Sequence, residues 1–283
     1  MFKNTRAMLD SLISTRPEVL DNIKKLEKEG KLNEHVDPIN YDIVEPVGAD
    51  YPYLKKPFKL RLKYFFIYNF VVRLFEPREL KRMGYSVKGR ENLKGIKRAV
   101  ITSNHINKLD CSLNRRALKG HKLYITAADF NNMKGFLGDI MRSSRMMPLG
   151  DGLAGMKNFD NAVNTILREK NAYVLFYPER SEWWCYPKPR PLMSGAYHYA
   201  AKNNVPLIPT FITFKKNGRK DKQGIEQFDM QVNILKPIYP KEGLNSRDQA
   251  KYLMDENKKA WKECYEKTYQ KPLVFECEIS KNN

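Results

Sequence analysis

The sequence predicts an α/β fold: a mixed, partly parallel sheet flanked by helices, with an N-terminal helical segment. Three observations carry this reading. Short apolar runs alternate with amphipathic stretches from about residue 98 to residue 269, and strands alternating with helices imply a sheet that is parallel at least in part. The run "YVLFY" at 173–177 is apolar almost throughout, the mark of a strand buried on both faces. The chain has 283 residues, 42% of them hydrophobic, enough for one large domain, or one domain with a small appendage.

Along the chain, residues 5–30 read as a helix with apolar positions Met8, Leu12, Val19, Ile23 and Leu26 and a stop at Gly30. Residues 31–57 are acidic, contain proline and lack a period, so they read as a linker. Residues 1–57 therefore form an N-terminal helix and linker, and 58–283 the main α/β domain. That domain opens on an aromatic and basic stretch, "LKKPFKLRLKYFFIYNFVVRLFEPRELKR" at 54–82. Its longest uncharged run, residues 64–72, is far short of the ~20 residues that span a bilayer. Bulky aromatics mixed with Lys and Arg suit a helix lying in the headgroup region of a membrane, or an amphipathic helix packed on the domain. Strands are predicted at 98–103, 122–128, 146–149, 172–177, 206–214 and 229–236. Helices are predicted at 108–119, 133–144, 155–170, 192–203 and 246–269.

The formal net charge is +19, which predicts an acidic partner: anionic lipid, nucleic acid or an acidic carrier protein. The basic residues are dispersed and no nucleic-acid-binding module is present, so a basic nucleic-acid-binding protein rests on charge alone. The cysteines Cys111, Cys185, Cys264 and Cys277 show no C-x-x-C spacing, so no metal site is expected and reduced thiols are the default. The first residues, "MFKNTRAMLDSL", contain no apolar core of a secretory signal. No G-x-S-x-G elbow, phosphate loop or H-E-x-x-H helix occurs.

The most informative stretch is "VITSNHINKLDCS" at 100–112. On a continuous helix His105 and Asp110 would lie about 140° apart and could not touch. They meet if His105 sits in the turn after the strand and Asp110 in the first turn of the next helix. Asn107 is the expected N-cap, which makes Asp110 the third helical residue. Asp110 can then accept from the imidazole Nδ1–H and leave Nε2 as a general base. The plainer alternative is that Asp110 only caps the helix. His35, His121 and His198 have no such partner.

A second cluster, Glu179, Arg180 and Ser181, follows the buried strand 172–177, as His105 follows its own. Parallel strands put both clusters on one edge of the sheet, where ligands bind in α/β proteins. Trp183 and Trp184 line an apolar slot or belong to the core, and "PKPRP" at 187–191 reads as a rigid polyproline connector. Gly150, Gly152 and Gly155 make a G-x-G-x-x-G between strand and helix, with Glu179 further on. This is the outline of a nicotinamide-dependent oxidoreductase. The preceding strand is short and carries Pro148, so a tight strand-to-helix turn is the favoured reading.

Taken together, these residues resemble the 1-acylglycerol-3-phosphate acyltransferase (lysophospholipid acyltransferase) family. Its first block, N-H-x-x-x-x-D, is matched by Asn104, His105 and Asp110. Its third block, F-P-E-G-T-R-S, is matched in its first half by Tyr177, Pro178 and Glu179; the Gly-Thr pair is absent and Arg180-Ser181 follows directly. Its fourth block, V-P-[IL]-[IV]-P, is matched by "VPLIP" at 205–209. The second block normally ends in an Arg that binds the acceptor phosphate, whereas this chain reads "MMPLGDG" there. The resemblance covers about 95–240. It implies transfer of a fatty acyl group from a thioester to the hydroxyl of a lysophospholipid, with His105 and Asp110 catalytic and Asn104, Glu179, Arg180 and Ser181 binding substrate. It implies no bound cofactor or metal, acyl-CoA or acyl carrier protein as co-substrate, and an anionic membrane surface rather than nucleic acid as partner. With no span and no signal, the expected location is cytoplasmic, peripheral on the inner face of the membrane.

Overall fold

The apolar runs pair as the alternation predicts. In the computed structural model, which describes residues 15–221 and 224–279, seven strands form one sheet. They are β1 (Ser86–Lys88), β2 (Ala99–Ser103), β3 (Lys122–Ala127), β4 (Met146–Pro148), β5 (Ala172–Phe176), β6 (Leu207–Lys220) and β7 (Glu226–Ile234). Their spatial order is β1-β7-β6-β2-β5-β3-β4. Strands β6, β2, β5, β3 and β4 run parallel; β7 is antiparallel to β6, and β1 is parallel to β7.

Two elements depart from expectation. β1 was not predicted, because three residues alternating in exposure are too short to show a period. β6 runs on to Lys220 because its pairing with β7 continues through Lys215↔Asp229 and Lys216↔Phe228. The apolar run ends earlier, so backbone pairing rather than burial holds the tip.

The helices are α1 (Pro17–Lys28), α2 (Phe58–Phe66), α3 (Arg73–Arg82), α4 (Asp110–Ala117), α5 (Gly135–Ser143), α6 (Gly152–Glu169), α7 (Gly195–Lys202), α8 (Ser246–Tyr269) and α9 (Glu276–Ile279). The central strands are buried on both faces. On one face Ala99, Ile101, Tyr173, Leu175 and Ile208 pack with Leu113 of α4 and Leu80 of α3. On the other, Val100, Val174 and Leu207 pack with Phe159 and Val163 of α6, Tyr197 of α7 and Leu253 of α8. Successive residues of one strand thus serve opposite cores, which is why these strands read as unbroken apolar runs.

The N-terminal segment is part of this body. Val19, Ile23, Leu32 and Val36 pack against Trp183, Trp184 and Tyr186, so the tryptophans are core rather than the lining of a slot. Met8 and Leu12, predicted on the same helix, lie outside the described residues.

α2 and α3 are joined by a π-helical stretch, Ile67–Val72. Arg142 donates to the Tyr64 hydroxyl (3.1 Å), Lys63 pairs with Asp139 (2.6 Å) and Arg115 with Glu76 (2.5 Å). These contacts seat one side on the domain. The other side leaves Phe58, Leu62, Phe65, Phe66, Phe70 and Leu74 exposed, Phe58 by 73%. Spacings of three or four put them on one face. Among the described residues, no helix is long and apolar enough to cross a membrane.

Candidate active site

β2 delivers its C-terminal end to the middle of the sheet, and the chain turns sharply there into α4. Asp110 Oδ2 draws that turn together. It accepts from the backbone N–H of Ile106 (2.7 Å) and Asn107 (3.0 Å) and lies 3.0 Å from His105 Nδ1. A carboxylate oxygen at that distance places the ring proton on Nδ1 and leaves Nε2 without one. The capping detail differs from expectation. Asn107 is not the N-cap: its Oδ1 accepts from Leu109 N (2.9 Å) and its C=O from Asp110 N (2.9 Å), so Asp110 is the first helical residue. The Asx turn at Asn107 does the folding that an N-cap would have done.

Asp110 is fully buried, while the His105 side chain keeps 26% of its surface. Its ring stacks on Tyr177, with centroids 4.2 Å apart and planes at 22°. Burial holds the imidazole down to about 4, opposed by the carboxylate of Glu182. At neutral pH the ring is therefore an uncharged base. Burial pushes the Asp110 carboxyl up, against the two amide bonds that favour its charged form.

The residues expected to bind substrate divide sharply. Asn104 is buried, and both ends of its amide are taken by the backbone of Ile212: Nδ2 donates to the C=O (2.9 Å) and Oδ1 accepts from N–H (2.7 Å). It clamps the end of β2 to β6 instead of facing a ligand. Glu179 is also buried. Its Oε2 accepts from His105 N (3.0 Å) and from Arg190 Nη2 (2.9 Å), and its Oε1 from Arg190 N (2.8 Å). The Ser181 hydroxyl accepts from Arg190 Nη1 (3.0 Å). Arg190 further donates to the carbonyls of Leu32 (3.1 Å), His105 (3.4 Å) and Ser181. The Asn104 amide, the Glu179 carboxylate and the Ser181 hydroxyl oxygen thus bond inside the protein and support the His105 turn. Arg180 alone faces solvent, at φ 71°, a left-handed conformation that costs a non-glycine residue ~1–2 kcal/mol. It has no ion pair among the described residues.

The comparisons with known proteins bear on this constellation. The family model described as Acyltransferase matches residues 84–213, a range that holds both clusters. Residues 84–213 belong to the acyltransferase family. No curated protein sequence matches the chain. Among solved structures, the chain is similar to the crystal structure of the 1-acyl-sn-glycerophosphate (LPA) acyltransferase PlsC from Thermotoga maritima. Identity is 18% and the TM-score 0.48, over 73% of this chain and 95% of that one.

The glycine triplet has a structural use. A Cβ on Gly150 would lie 2.0 Å from the backbone of Gly155, and one on Gly155 would lie 2.6 Å from the Val47 carbonyl. Val47 also exchanges hydrogen bonds with Asp151, donating to Oδ2 (2.6 Å) and accepting from N–H (2.9 Å). The 47 segment fills the space over this turn that a dinucleotide pyrophosphate needs, so the loop is a close-packed strand-to-helix turn.

Sequence reasoning passed over four residues here. Asn114 links Ser103 Oγ (3.0 Å) to Thr210 Oγ1 (2.8 Å) beneath the dyad. Tyr177 stacks on the His105 ring. Arg190, in the segment read as a connector, supports the whole turn. Glu182 stands beside His105. Only Tyr177 carried a signal, its place two residues before Glu179 on the same strand end.

Proposed function

We propose that the protein moves a fatty acyl group from acyl-CoA or acyl carrier protein to the hydroxyl of a lysophospholipid such as 1-acylglycerol-3-phosphate. The observation that carries this reading is the 3.0 Å bond between His105 Nδ1 and Asp110 Oδ2 at a solvent-facing strand end. With Nδ1–H committed to Asp110, Nε2 takes the hydroxyl proton as the oxygen attacks the thioester carbonyl. The C–O bond forms, the C–S bond breaks, and the imidazolium returns its proton to the leaving thiolate. Asp110 orients the ring and stabilises its cation, as the carboxylate of a catalytic triad does. A positioned base contributes about 10²–10⁴-fold, and alignment of the two bound substrates much of the rest. The test is release of free thiol from an acyl-CoA by the purified protein with lysophosphatidic acid present. Acceptor-dependent release is expected; its absence across lysophospholipid acceptors and both donor carriers defeats the reading.

Arg180 is the cation available to the acceptor headgroup, since Arg190 is committed and buried. A guanidinium fork suits a phosphate. Arg180→Ala is expected to raise the acceptor KM by roughly 10–100-fold, the equivalent of about 1.5–3 kcal/mol for a charged hydrogen bond. The donor KM should hardly move, and Arg180→Lys should recover only part of the loss. An unchanged acceptor KM removes Arg180 from the site.

The exposed face of α2 and α3 is the proposed membrane contact, peripheral on the inner face, with Lys59, Arg61 and Arg73 interspersed among the aromatics. Each Lys or Arg near an anionic surface adds about 1 kcal/mol, and salt screens it over ~8 Å at physiological strength. Sedimentation with anionic liposomes should fall as salt rises, and Phe65→Ala/Phe70→Ala should bind less at every salt concentration. Equal binding to neutral and anionic vesicles, insensitive to salt, contradicts this mode.

A further inference from the structure

We propose that Glu182 acts through His105, its carboxylate holding the imidazolium that forms when the acceptor hydroxyl gives up its proton. This rests on the acyl-transfer reading of the site and adds to it a residue outside the His105–Asp110 pair.

The placement is geometric. Glu182 lies between Ser181 and Trp183, and both neighbours are tied to the His105 backbone. Trp183 N–H donates to the His105 carbonyl (2.9 Å), and Arg190 Nη2 bonds both that carbonyl (3.4 Å) and the Ser181 carbonyl. Cys185 N–H donates to the Ile106 carbonyl (2.8 Å), so residues 183–185 run alongside 105–106. Glu182 is thus held beside the His105 backbone, by the Trp183 main-chain bond on one side and by the Arg190 guanidinium bridging the Ser181 and His105 carbonyls on the other, and it is itself half-buried.

The charges around the imidazole show why a further carboxylate matters. On the Glu182 segment, Glu179 and Arg190 form a buried pair at 2.9 Å and largely cancel. On the turn into α4, Asp110 divides one oxygen among three donors, and Lys108 is a cation nearby. From the N-terminal segment come Asp37, which acts on Glu182, and His35, which senses both Arg180 and His105. Glu182 has no ion pair within 4.0 Å among the described residues, so its charge is spent on no bonded partner. Its charge opposes the effect of burial on the His105 ring.

Burial pushes Glu182 up to about 7, so its charge comes and goes across neutral pH. Above that value it is ionised and favours the imidazolium; below it, it is neutral and the help is lost. The rate of acyl transfer at saturating substrates should therefore rise through about pH 7, by about tenfold if the coupling is worth one pKa unit.

The test has one arm that needs no activity. The ring resonance of His105, assigned by comparison with His105→Asn, is followed from pH 5.5 to 8 in wild type, Glu182→Gln and Glu182→Asp. A step near pH 7 is expected in wild type and Glu182→Asp and is absent in Glu182→Gln, which keeps the shape and removes the charge. A step that persists in Glu182→Gln, or a wild-type ring with no step, overturns the proposal, and the wild-type arm decides even if the Gln variant does not fold. The second arm is the pH profile of thiol release, where Glu182→Gln should be level across pH 7 at about the acid-side rate of wild type. A profile that keeps its rise in Glu182→Gln also overturns it. Lack of thiol release in wild type refutes the acyl-transfer reading separately, because the resonance arm still reports on the coupling.

Discussion

His105→Ala is expected to abolish acyl transfer while leaving the protein folded. The turn does not depend on the ring: His105 contributes its N–H to Glu179 and its C=O to Trp183, both of them main-chain groups that alanine keeps. Loss of the base alone should cost about 10²–10⁴-fold in kcat. Asp110→Asn should be less severe than His105→Ala: the amide can hold the ring but cannot stabilise its cation. Thiol release measured beside thermal unfolding decides this. A His105→Ala protein that unfolds normally and retains most of its activity rules out the mechanism.

Arg190→Ala should be the most destabilising single change near the site. It removes the partner of a buried carboxylate and strips donors from the carbonyls of Leu32, His105 and Ser181. It also removes a guanidinium stacked 4.8 Å from the Trp183 ring. Breaking a buried ion pair from one side costs about 3–5 kcal/mol, because the remaining charge is left without compensation. In a chain of this size that lowers the melting temperature by roughly 10 °C. Arg190→Met combined with Glu179→Gln should cost less than Arg190→Met alone, since no bare charge remains. If the single and double variants melt together, the pair is not what holds the turn.

Parts of this site were legible in the sequence for specific reasons. His105 and Asp110 are five residues apart, and a strand, a turn and a helix start are local events that residue types announce. The order of the blocks from Asn104 to Pro209 carried the family. The N-cap was misread because Asn107 is a good cap by type, and only its bonds to Leu109 and Asp110 show that it turns the chain one step earlier. Glu179 was taken for a ligand contact because a carboxylate at a strand end has two plausible uses. Its inward use needs Arg190, eleven residues on in a segment read as a connector.

The sequence by itself determined the α/β class, the central strands and the His105–Asp110 pair, because these depend on short-range periodicity and spacing. Tertiary structure alone decided which polar residues face the reaction and which are sealed beneath it. That choice rests on desolvation, and desolvation is set by contacts between residues far apart in the chain. Glu179 meets His105 across 74 positions and Arg190 meets Leu32 across 158. Once the N-terminal segment covers Trp183 and Arg190, their polar groups must bond internally, and Arg180 is left as the guanidinium at this edge turned to solvent.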